Sequence, residues 1–194
     1  MASIVGIANR AITKLGEARI ISLSDATKQA ATIQSMFDAV RDAELRAHVW
    51  HFAKARKRLP AMSTAPEFGF THQFQLPSDF LRLLKIGESA VYPRPTVDGL
   101  YSIEGGKILT NQPGPLAIQY CRRVEDPNLY DALFCEALVG RLAVEACEAI
   151  TQSQTKFDRV AQMYERALRD AIRANAIERP SQAIADDTWL TSRR

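Results

Sequence analysis

The sequence predicts an α+β fold: a four-helix bundle core with an inserted small β-domain and an extended C-terminal tail. Three observations lead there. Apolar residues recur at helical spacing in two stretches before Trp50 and in two more after Asp126. Between them the chain is punctuated by prolines and glycines and alternates in places like a strand. After Pro180 it turns polar. With 194 residues, one compact domain with an appendage is the expectation. Helices are expected over about 3–16, 25–48, 131–151 and 155–176, a β-rich insertion over about 52–124, and a tail over 178–194 beyond a folded region of 1–177.

Each element has its own signal. Val5, Ala8, Ile12 and Leu15 are spaced 3, 4, 3, on one face of a first helix that Gly16 can end through a left-handed cap. Ser24 offers an N-cap oxygen to the second, whose stripe is Ala26, Ala30, Ile33, Phe37 and Val40. From Pro60 to Asp126 no helix of ordinary length fits between the breakers, and strands are expected at Phe80 to Ile86, Leu100 to Ile103, Lys107 to Thr110 and Leu116 to Arg122. Glu104-Gly105-Gly106 suits a hairpin turn. The helix from Asp131 to Thr151 has few charges and should be the most buried. In the last, Thr155 and Asp158 resemble a capping box before Phe157, Val160, Tyr164, Leu168 and Ala171.

Composition excludes little. Hydrophobic residues at 46% and charged residues at 24% are ordinary globular values, which argues against wholesale disorder. The net charge of +3 is mild, so only local clusters speak about partners. Cys121, Cys135 and Cys147 form no CxxC pair and read as buried thiols of a reducing compartment. The N-terminus lacks the pattern of a signal peptide, no run of 18 apolar residues occurs, and assembly in the cytoplasm without membrane contact is expected.

No constellation announces catalysis. His48 and His51, three apart, could face a metal together, but a third ligand is missing and His72 is the only other histidine, so no metal is expected. There is no GxSxG elbow, no GxxxxGK[ST] and no GxGxxG, and neither a nucleophile nor a cofactor is expected. Asp186-Asp187 is a solvated pair in the tail.

Two features ask for a partner. Arg46, Lys54, Arg56, Lys57 and Arg58 form a basic cluster with no acid from Leu45 to Leu59, interleaved with Trp50 and Phe52. Such a cluster can grip phosphates while an aromatic stacks on a base; the plainer account makes the cations contacts to another subunit or another protein and Trp50 and Phe52 anchors at the junction of helix and sheet. Trp189 and Leu190 stand in a polar tail, where a large aromatic suits a docking peptide better than water.

The blocks Trp50-His51-Phe52-Ala53, Leu76-Pro77-Ser78-Asp79, the Tyr120 strand with Asp126-Pro127, and the helix from Phe134 to Glu145 resemble the tail tubular protein A family of short-tailed phages, the head-to-tail adaptors. The resemblance runs from about Ser24 to Ala176; Val49 departs from it, standing where that family has proline. It implies a non-enzymatic virion protein at the head-tail junction. Such proteins form a twelve-fold ring beneath the portal, join it to a tail nozzle or tail-completion protein, and let DNA pass through the bore without specific binding. It also implies a portal-docking segment in 178–194, here with Ile184, Trp189 and Leu190 as anchors. The alternative is a nucleic-acid-binding module using the cluster 46–58.

Overall fold

A computed structural model describes residues 3–87 and 101–178. The fold is mixed α/β, with four helices and two three-stranded antiparallel sheets. The described residues divide into two compact units, 3–54 with 121–178 and 55–120. The expected four-helix bundle core is not what the first unit contains. Its helices are α1 (Ile4–Lys14), α2 (Lys28–Ala47), α3 (Ala132–Thr151) and α4 (Gln154–Ile177), and the main packing of α1, α2 and α4 runs through α3. The reason lies in the α3 sequence: Phe134, Ala137, Leu138, Val139, Leu142, Ala143 and Ala146 are buried, an arc too wide for a single stripe. A helix apolar nearly all round becomes a hub rather than one of four equal walls.

Caps fix where these helices start. Ser3 Oγ accepts from the Gly6 N–H, and Asp131 Oδ1 accepts from Leu133 and Phe134 at 2.8 and 3.1 Å. Two expected caps move. The second helix begins at Lys28 behind Thr27, whose Oγ1 accepts from Ala30 N–H at 3.2 Å, because Ser24 is used in a turn with Ser22 and Asp25 takes the Ile21 N–H. The last helix is capped by Ser153 rather than Thr155, directly after Gln152 ends α3 in the left-handed conformation, φ 52°. At the α1 C-terminus the carbonyls of Leu15 and Lys14 accept from Lys156 Nζ and Arg159 of α4, so cations sit on the negative end of the helix dipole. Gly140 lets α3 and α4 approach closely: a Cβ there would lie 3.0 Å from Tyr164 Cα.

The second unit holds both sheets. One has the order β1 (Lys54–Leu59), β6 (Leu116–Arg122), β3 (Phe80–Ile86); the other runs β2 (His72–Gln75), β5 (Lys107–Thr110), β4 (Tyr101–Glu104). In the second sheet His72 pairs with Thr110 and Gln75 with Lys107, while Tyr101 and Glu104 pair with the same two residues from the other side. Gly105 and Gly106, both at positive φ, make the β4–β5 turn. Leu59, Phe74, Ile108, Leu116, Ile118 and Tyr120 form the core of this unit.

Candidate functional site

The basic and aromatic stretch that the sequence presents as one cluster is divided by the structure. Its aromatic half is core. Trp50 is 1% exposed, its indole N–H donates to Glu44 O at 2.9 Å, and its ring meets Phe134 edge-on at 5.1 Å and Phe52 in a stack at 6.4 Å. Phe52 in turn packs on Tyr130 and Phe134. A ring enclosed like this has no face left for a base, so base stacking by Trp50 falls away.

The histidines are structural neighbours of that ring. His48 caps the end of α2 in an extended conformation, and His51 lies in a short 3-10 turn, His51–Ala53, so they do not share a helix face. His51 Nε2–H donates to Asn175 O at 2.8 Å, leaving Nδ1 to accept from Lys54 Nζ at 3.3 Å. The Asn175 side chain closes the clamp: its Oδ1 accepts from the His51 backbone N–H at 2.9 Å and its Nδ2 donates to Val49 O at 2.8 Å. The turn where proline was expected is thus held by α4. Among the described residues no group of three or more His, Cys, Asp or Glu side chains is placed to hold a metal ion, and no helix is long and apolar enough to cross a membrane.

Beneath Trp50 lies a polar core. Glu44 of α2 is buried, with Oε1 accepting from Tyr164 O–H of α4, while Oε2 has no hydrogen-bond partner among the described residues. Arg141 of α3 stands over the Tyr164 ring at 5.7 Å and bonds Glu145 at 2.6 Å. Burial, then the hydrogen bond to Glu44 and its charge, pushes the Tyr164 hydroxyl up to about 12. Burial also raises Tyr130 to about 12, where the hydroxyl donates to Val124 O at 2.9 Å.

The cationic half faces out. Arg46 is exposed near the end of α2, and Lys54 turns towards His51, while Arg56, Lys57 and Arg58 are exposed on β1. These last three line a groove of about 510 Å³ on the β1-β6-β3 sheet, together with Lys85 from the end of β3 and a floor of Ala117, Ile118 and Gln119 of β6. No described acid lines it. Sequence reading missed Lys85, which lies 27 positions beyond Arg58 and joins the cluster only because both outer strands flank β6.

Ile184, Trp189 and Leu190, expected to anchor the tail, lie outside the described residues. Comparison of the chain with known protein families and with curated proteins finds no match.

Proposed function

We propose that this protein is a structural virion component, a head-to-tail adaptor whose copies form a ring beneath the portal, join capsid to tail and surround the path of the ejected DNA. The observation that carries the reading is that the sequence blocks resembling the adaptors meet one another in space. Trp50 packs on Phe134 of the helical block, and Tyr120 O–H donates to Asp79 Oδ1 of the Leu76-Pro77-Ser78-Asp79 block at 3.0 Å, with Phe80 stacked on the Tyr120 ring. Asp126 caps the short turn Pro127–Leu129 just before α3. Contacts of this kind, within each unit and across 40 or more residues, support reading the resembling blocks as parts of a shared scaffold. Within that reading the tail, with Ile184, Trp189 and Leu190, docks the portal, and a tail nozzle or tail-completion protein binds below.

Electron microscopy of the purified protein mixed with its cognate portal tests this. Rings stacked on portals are expected, and loss of docking when residues 178–194 are deleted; bare portals with the full chain would overturn it. A nucleic-acid-binding module is the second reading, favoured by the cationic groove of Arg56, Lys57, Arg58 and Lys85, which no described acid lines. It requires binding that falls steeply with salt, since each neutralised phosphate releases counterions.

A further inference from the structure

Phe68, in the loop before β2, is the most exposed aromatic among the described residues, at 87%. It is not alone. Glu67 and Glu104 share with it a cleft of about 400 Å³, and Tyr101 and Ile103 of β4, in the same unit, are 48% and 44% exposed. Lys107 also lines that cleft, but its Nζ donates to Gln73 Oε1 at 3.3 Å. The outcome is an aromatic knob flanked by carboxylates.

The groove on the other sheet is its chemical opposite. Arg56, Lys57, Arg58 and Lys85 stand around a small floor on β6 whose accessible apolar part is Ala117, since Ile118 is turned into the core. A phenyl ring resting on that floor would lie beside guanidinium and ammonium groups, which favour aromatic faces, while Glu67 and Glu104 would meet cations at the rim. The knob and the groove share no lining residue, and both belong to the unit formed by residues 55–120, so every copy presents both.

We infer that the Phe68 knob of one copy seats in the Arg56–Lys85 groove of the next, and that this is the contact from which the ring is built. The inference rests on the adaptor reading and gives it a bonding surface. Because the two surfaces differ, the contact is heterologous: copies add head to tail, closing into a ring where the rotation allows and running on as a filament where it does not. A two-fold dimer would instead require a patch that complements itself. A large exposed aromatic costs solubility unless a partner covers it, and interface anchors are enriched in such side chains ringed by polar groups.

The test is crosslinking of the full chain carrying both Lys57→Cys and Glu67→Cys, assembled on its portal and treated with a short bis-maleimide. The native thiols Cys121, Cys135 and Cys147 are buried and serve as background. A ladder of covalent multimers is expected, absent from either single variant, with a yield cut about tenfold or more by adding Phe68→Ala. Rings visible by microscopy without a ladder, or a covalent dimer alone, would overturn the inference and leave the adaptor reading standing. Neither ring nor ladder, with no ring from the unmodified chain either, would overturn both. An unchanged ladder in Arg56→Glu/Lys85→Glu, with lost binding of a duplex oligonucleotide, would assign the groove to nucleic acid instead.

Discussion

Trp50 and Arg56 lie six positions apart in one basic, aromatic stretch, yet the regions around them differ in nearly every physical respect. Around Trp50 the turn's polar groups are spoken for: the indole N–H by Glu44 O, the His51 backbone and ring by Asn175, the Val49 carbonyl by the same side chain. Around Arg56 the cations face solvent on an outer strand of a sheet. The first region stabilises the fold; the second is the surface that the proposed contact would use. Composition alone cannot separate them, because a cluster in sequence becomes a cluster in space only if the backbone does not turn between its members.

Substitutions sharpen the contrast. Trp50→Ala should have the largest effect, a loss of about 3–5 kcal/mol in denaturant unfolding, since a fully buried aromatic leaves a cavity and an orphaned carbonyl. A loss under about 1 kcal/mol would mean that Trp50 is no core anchor. Asn175→Ala removes two side-chain hydrogen bonds to the turn at 49–51 and should cost about 1–3 kcal/mol. Native-state amide exchange should then show the His51 N–H losing protection before the core of α3 does.

Much of the helical part was legible in the sequence. The apolar stripes of α1 and α2 depend on neighbours three and four positions away, which is local information: Ala8 and Ile12 are buried, as are Ile33 and Phe37. What was not legible is long-range. The arc of α3 reads as "most buried", but whether such a helix joins a bundle or becomes a hub depends on what packs round it, and the bundle was the wrong choice. Strand β1, KARKRL, went unseen because an outer strand that exposes three successive cations has no alternation to detect, and β2 is only four residues long. Phe68 raised no flag either, since a phenylalanine in a Pro- and Gly-rich loop looks the same in sequence whether it is covered or exposed.

The pH profile gives a smaller effect in the interior. Tyr164 in the folded chain titrates at about 12, above its ordinary value of about 10 in an unfolded one. A raised folded value means that the folded state holds the proton more tightly, so this contribution is complete below about pH 10 and is lost as pH rises towards 12. Tyr164→Phe should flatten that part of the alkaline stability loss, while tyrosinate absorbance of the unmodified protein should develop late. Normal titration of every tyrosine near pH 10 would contradict the buried Glu44–Tyr164 contact.

The smallest expected change in stability belongs to the groove. Arg56→Glu/Lys85→Glu alters an exposed and a half-buried side chain and should shift unfolding by no more than about 0.5 kcal/mol per site. That makes it the most direct measurement of the central claim, that the cations beside the Trp50 joint exist for a partner and not for the fold. Particles of the unmodified protein and of this variant, each mixed with portal, would be imaged side by side after matched melting temperatures are established. Rings on portals with the unmodified chain, and bare portals with the equally stable variant, are the expected result; identical rings from both would contradict it.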